Sequence, residues 1–142
     1  MTSTPPKPYQ YEELQGELTT RMLVLNPTAE RDSSLQCSLI PIRLSEMKEV
    51  VALSYAWGEP LFTERLWIFG DDREDSYLEI SPNLSNILRW LRDASSVQNI
   101  WVDAVCINQS NSNEKNNQVT EMWKIYSLAS KVKIWLANPT YV

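Results

Sequence analysis

Two apolar, β-prone runs break off abruptly into polar residues, and this punctuation constrains the fold more than any other feature of the chain. The first is Val50-Val51-Ala52-Leu53-Ser54-Tyr55-Ala56-Trp57-Gly58, and the second is Ile100-Trp101-Val102-Asp103-Ala104-Val105-Cys106-Ile107-Asn108-Gln109. Their apolar parts are nearly continuous, as expected for strands covered on both faces. A third segment, Gln118-Val119-Thr120-Glu121-Met122-Trp123-Lys124-Ile125-Tyr126, carries apolar residues at helical spacing. Open α/β sheets build their sites at the carboxyl ends of such strands, with helices between them.

The surrounding chain supplies the other elements. Arg21 to Leu25 reads as a strand stopped by Asn26-Pro27, and Leu35 to Ile42 alternates with period two. Pro41 places that second strand at an edge or at its own end. Together they suggest a β-hairpin or an accessory sheet ahead of the main fold. Arg65 to Phe69 and Tyr77 to Ile80 form another hairpin around the acidic Gly70-Asp71-Asp72 turn. Ser81-Pro82 then opens a helix: Ser81 is the N-cap, and Pro82 takes the first position, where a missing N–H costs nothing. Leu84, Ile87, Leu88 and Leu91 mark the buried face of that helix.

Ile100 to Val105 reads as the second buried strand, and Asn108 to Asn117 as a polar stretch ahead of the next helix. Along that helix Val119, Met122, Trp123, Tyr126 and Ala129 form the apolar stripe. Lys131 to Leu136 closes as a strand ending at Asn138-Pro139. Alternating strand and helix after residue 50 predicts a parallel sheet with right-handed crossovers. The expected architecture is a Pro-rich, flexible or extended leader over residues 1–10 and a single α/β domain over 11–142. Its mainly parallel sheet is flanked by helices, with an antiparallel β-hairpin region on the N-terminal side.

Composition narrows the chemistry. The 142-residue chain contains no His, which excludes Ser-His and Cys-His pairs and leaves no zinc site in view. Cys37 and Cys106 stand in no metal-like spacing and read as buried small apolar residues. A net charge of −5 with scattered cations argues against nucleic acid as partner. No apolar run approaches the about 20 residues of a membrane helix, and nothing resembles a signal peptide, so a cytoplasmic location is expected. The six tryptophans are expected mostly in the core or at an interface.

The candidate site gathers at the two strand ends. Asp103 either caps the following turn or anchors a ligand in the crevice. Asn108 and Gln109 either hydrogen-bond ligand hydroxyls or close a loop. Ser54, Tyr55, Trp57 and Gly58 end the first strand: Gly58 permits a tight turn, and Trp57 either packs or stacks on a planar ring. Glu114 reads as a first-turn acid favoured by the helix dipole, and Glu121 as a solvated residue paired with Lys124.

The three segments resemble the blocks of the HET (heterokaryon incompatibility) domain of filamentous fungi. Its ALSYxWG block is similar to Ala52 to Gly58, its LWVDAxCINQ block to Ile100 to Gln109, and its QVxxMxxIYxxAxxVxxWL block to Gln118 to Leu136. Order and spacing agree over roughly residues 11–136. The resemblance implies nonself recognition and programmed cell death when incompatible hyphae fuse, with protein partners or self-association. HET domains are distantly similar to TIR domains, so the resemblance further implies a flavodoxin-like core and, as in some TIR branches, a glutamate that cleaves NAD. NAD would then be substrate rather than cofactor, and no resident cofactor is expected. Glu114 matches the acid ahead of the family's QV block, and Glu121 falls roughly where a TIR-type glutamate sits. Asp103 with one of these glutamates is the implied catalytic set. Ser54, Tyr55, Trp57, Gly58, Asn108 and Gln109 are the implied nucleotide contacts. The competing expectation is a non-enzymatic interaction module.

Overall fold

The computed structural model describes residues 5–57, 61–70 and 76–135. Gly58, Glu59, the Asp71-Asp72 turn, Leu136 and Asn138-Pro139 lie outside the described residues.

Eight strands form one mixed sheet. In chain order they are β1 (Lys7–Pro8), β2 (Thr19–Leu25), β3 (Leu35–Arg43), β4 (Val51–Tyr55), β5 (Glu64–Ile68), β6 (Ser76–Ile80), β7 (Gln98–Trp101) and β8 (Lys131–Trp135). Across the sheet the order is β1-β6-β5-β3-β2-β7-β4-β8. The α/β class is as read from the sequence. β4 lies parallel to both β7 and β8, with Val51 opposite Ile100 and Lys131. The expected hairpins are present too, since β2 with β3 and β5 with β6 run antiparallel.

The hairpins are not an accessory layer. β2 sits in the middle of the sheet, antiparallel to β3 on one side and to β7 on the other. The alternation of Arg21, Leu23 and Leu25 explains this placement, because all three are buried. A strand with such a face is stabilised by flanking neighbours, each buried Leu contributing roughly 1.5–3 kcal/mol. β3 pairs with β2 over Cys37–Arg43 and with β5 only over Leu35–Cys37. Pro41 therefore falls where β3 has one neighbour and its missing N–H breaks no ladder. Of the leader's described residues, Lys7 and Pro8 form β1, which pairs parallel with β6.

The helices follow local signals unevenly. In α1 (Pro82–Leu91) the Ser81 hydroxyl accepts the Leu84 N–H at 3.1 Å, and Leu84, Ile87 and Leu88 are buried, as expected. The second buried strand is shorter than the sequence suggests. β7 ends at Trp101, and Asp103–Cys106 form a single helical turn, α2. The reason is tertiary: side chains from β2 and from the segment before it take the turn's outward carbonyls, removing the need for a ladder partner. α3 (Ser112–Leu128) starts inside the stretch read as polar loop, capped by Asn111, whose side-chain oxygen accepts the Glu114 N–H.

The stripe of α3 holds in part, with Met122, Tyr126 and Ala129 packed against the core. Val119 and Trp123 are 53% and 67% exposed, while Gln118 and Ile125 are buried. Of the tryptophans only Trp101 is fully buried among the described residues; Trp57, Trp90 and Trp123 are exposed. Cys37 and Cys106 are free and buried, matching their reading as small core residues.

Candidate functional site

The carboxyl ends of β4 and β7 bring the three sequence blocks together. Asp103 starts α2 one residue beyond the end of β7's flanking Val102, and its Oδ1 accepts the Trp57 indole N–H at 3.3 Å. Trp57 belongs to the first block. From the third, the Tyr126 hydroxyl donates to the Leu53 carbonyl at 3.4 Å, and its ring packs edge-on against Trp101. Asn83, at the start of α1, closes another side by donating to the Ala56 carbonyl at 3.2 Å.

The electrostatics of this cluster centre on one carboxyl. Burial raises the Asp103 pKa above the usual carboxylate value, although the Trp57 indole and the Ala104 N–H pull the other way. Tyr55 is pushed up to about 12 by burial and by the Asp103 charge, with the Ser81 hydroxyl opposing. Tyr126 is raised by burial and by Asp103, with Ser54 opposing. Ser54, Tyr55, Trp57 and Asp103 thus form one neighbourhood, in which a half-buried carboxyl faces phenol and indole rings. Such a carboxylate can accept hydrogen bonds from ligand hydroxyls or stabilise a developing cation.

Glu114 stands in different surroundings. Its two oxygens take a bidentate fork from Arg21, Nη1–Oε2 and Nη2–Oε1 each at 2.8 Å, and Oε2 also accepts the Asn108 N–H at 2.6 Å. Burial alone would raise its pKa, but the guanidinium and the Asn108 amide hold it below the usual range. It is therefore an ionised, internally paired group. Asn108 spends its own side chain on the Ser110 N–H, closing its loop. Gln109 donates to the Asp103 main-chain carbonyl at 2.8 Å. Glu121 pairs with Lys124 at 3.0 Å. Both glutamates line a cavity of about 560 Å³ between α3 and the segment 13–19, and Ser54, Tyr55, Trp57 and Asp103 are not among its lining residues. The structure thus divides the candidates into a crevice group around Asp103 and a set of glutamates placed elsewhere.

Arg21, Tyr11 and Tyr126 were not singled out from the sequence as site residues. Arg21 did carry a signal, because a charge in the inward phase of an apolar alternation requires a buried partner. Next to it the Thr20 hydroxyl donates to Gln118 Oε1 at 2.6 Å and accepts the Trp101 indole N–H at 2.9 Å. Among the described residues no group of three or more His, Cys, Asp or Glu is placed to hold a metal ion. No helix there is long and apolar enough to cross a membrane.

Comparison with known proteins identifies the family. The family model described as heterokaryon incompatibility protein (HET) matches residues 51–141, beginning at the first residue of β4 and containing the crevice. The chain is 32% identical over 124 residues to Heterokaryon incompatibility protein 6, OR allele, of Neurospora crassa. That alignment covers 82% of this chain and 18% of the relative, so the chain spans under a fifth of that protein's length. No solved structure matches significantly. With its blocks in order and meeting in one crevice, the chain belongs to the HET family.

Proposed function

We propose that this chain is an effector module of fungal heterokaryon incompatibility, acting in nonself recognition and the cell death that follows fusion of incompatible hyphae. One observation carries the reading: residues from three separated blocks, Trp57, Asp103 and Tyr126, meet around a single half-buried carboxyl. A module used only as a structural spacer has no need to hold a carboxyl in a crevice at raised pKa. Expression in a fungal host with a viability count tests it. Killing by the wild type and survival with folded Asp103→Ala is the expected result; survival with both, at equal soluble protein, overturns it.

The chemistry that suits the crevice is cleavage of the nicotinamide–ribose bond of NAD. Asp103 would accept a ribose hydroxyl and stabilise the cationic ribosyl centre, with the Trp57 ring available to stack. The C–N bond breaks with its electron pair going to nicotinamide, which becomes neutral. Water adds to the ribosyl carbon and releases its proton. Because Glu114 and Glu121 are paired elsewhere, Asp103→Asn is expected to abolish NAD consumption by concentrated or artificially clustered protein, while folded Glu121→Gln retains it. No turnover in the clustered wild type removes the enzymatic mechanism.

A non-enzymatic interaction module is the second reading, favoured by β8. Among the described residues that strand pairs with β4 alone, and Val132 and Ile134 on it are 44% and 69% exposed. An interaction module would kill without consuming NAD, and would lose killing on Ile134→Lys.

A further inference from the structure

The helical turn that presents Asp103 is too short to stand alone, since a single turn fixes several dihedrals for very few hydrogen bonds. Its conformation is imposed from outside, and the imposing groups can be named. The Asp103 carbonyl takes Gln109 Nε2 at 2.8 Å, the Val105 carbonyl takes the Tyr11 hydroxyl at 2.6 Å, and the Cys106 carbonyl takes Arg21 Nη1 at 3.1 Å. The Asn108 N–H goes to Glu114. Two of these four groups, Tyr11 and Arg21, come from the N-terminal part of the chain, ahead of the residues that match the family model.

Those two act as one body. The Arg21 guanidinium lies over the Tyr11 ring, 4.8 Å from its centroid, and Nη2 donates to the Glu12 carbonyl at 2.7 Å. Burial drives the Tyr11 phenol far above its ordinary pKa, so it remains a hydrogen-bond donor. Upstream, the arm is fastened by the two-residue β1–β6 pairing and the Tyr9 N–H to the Tyr77 carbonyl. Between these fastenings it crosses a cavity of about 590 Å³, lined by Tyr9, Gln10 and Glu12 with Leu39, Ile40 and Phe69. The arm is thus fastened at Lys7–Tyr9 and again at Tyr11, whose ring meets Tyr9 edge-on, and the second fastening is the Asp103 turn.

We infer that Tyr11 and Arg21 are positioning residues for Asp103, the N-terminal arm serving as a strap that fixes the turn on which the crevice carboxyl stands. This deepens the reading in which Asp103 is the working group, yet its test needs no killing. The groups facing that carboxyl are the Trp57 indole, Tyr55 from β4, Tyr126 from α3 and the Cys106 thiol of its own turn. Trp57, Tyr55 and Tyr126 are untouched by the changes in the arm, whereas the Cys106 thiol also lies within electrostatic reach of Arg21 and Tyr11.

The experiment is a carboxyl NMR titration of the full chain, with Asp103→Asn identifying the resonance. Tyr11→Phe removes one hydroxyl and keeps the ring; Arg21→Lys keeps the charge and loses the fork. Both are expected to lower the Asp103 midpoint from its raised value toward the about 3.9 of a solvated aspartate, as water reaches a loosened turn. Amide exchange at Cys106 and Ile107 is expected to accelerate in parallel. Arg92→Ala, which frees the carbonyls of Glu30, Arg31, Ser33 and Ser34 far from this turn, controls for a general loss of stability and should leave the midpoint in place. An unchanged midpoint in folded Tyr11→Phe overturns the inference, as does an equal fall in Arg92→Ala. If Arg21→Lys does not fold, Tyr11→Phe alone decides. A chain that kills nothing, yet whose Asp103 titration follows the strap, removes the effector reading and leaves this inference intact.

Discussion

Asp103 and Glu114 lie eleven positions apart by number and have opposite electrostatic characters, and the opposition makes two predictions. Glu114 has a lowered pKa in the fold, so its contribution is present above the unfolded value of about 4.3 and is lost as pH falls through the folded value. Acid unfolding that begins near that range is expected, and Glu114→Gln should remove this part of the pH dependence. Glu114→Gln should also cost roughly 3–5 kcal/mol in chemical denaturation at neutral pH, because it strands a buried guanidinium. Asp103 has a raised pKa, so its contribution is fully present below the unfolded value of about 3.9 and is lost as pH rises through the folded value. Asp103→Asn should therefore raise stability at neutral pH, on the order of 1 kcal/mol, while abolishing function. A melting temperature below wild type would contradict that sign. Residue types alone did not show the electrostatic character of the two acids; the partner that distinguishes them, Arg21, is 93 residues from Glu114.

At the scale of elements, α1 was legible and α3 only partly so. The start of α1 is written locally: Ser81 and Pro82 act on neighbouring N–H groups, and the Leu84, Ile87 and Leu88 face needs only an adjacent sheet. Ser81→Ala is expected to lose about 1 kcal/mol of stability in thermal or urea unfolding. In α3 the apolar stripe held at Met122, Tyr126 and Ala129 but failed at Val119 and Trp123, because a further inward position belongs to Gln118. A buried amide becomes favourable only when the Thr20 hydroxyl and the Thr19 carbonyl complete its hydrogen bonds, the Trp101 indole in turn donating to Thr20, and those two partners lie far away in sequence. Gln118→Ala should thus cost about 1–3 kcal/mol by leaving the buried Thr20 hydroxyl short of a partner. Trp123→Ala, at an exposed position, should stay within about 0.5 kcal/mol of wild type. The reverse order in urea unfolding would restore the stripe that the sequence alone suggests.

For the whole molecule, the alternating pattern after residue 50 correctly put β4 and β7 in one parallel sheet, but it could not show that β2 lies next to β7 in the same sheet. Central strands and accessory hairpins have the same period, and only the buried face of Arg21, Leu23 and Leu25 hints at the difference. A fragment limited to residues 51–142 would lack β2 and β3 and leave one edge of β7 open. It is expected to show little cooperative unfolding by circular dichroism, whereas the full chain should unfold in one transition. The position of β2 also bears on how the protein is made. Leu23 faces Ile100 across the sheet, so the N-terminal strand leaves the ribosome long before its second neighbour exists. During that interval the growing chain carries a half-paired β2 with an apolar face, a state open to chaperones and to aggregation. Folding is completed late in synthesis and at the slow rate of distant pairings.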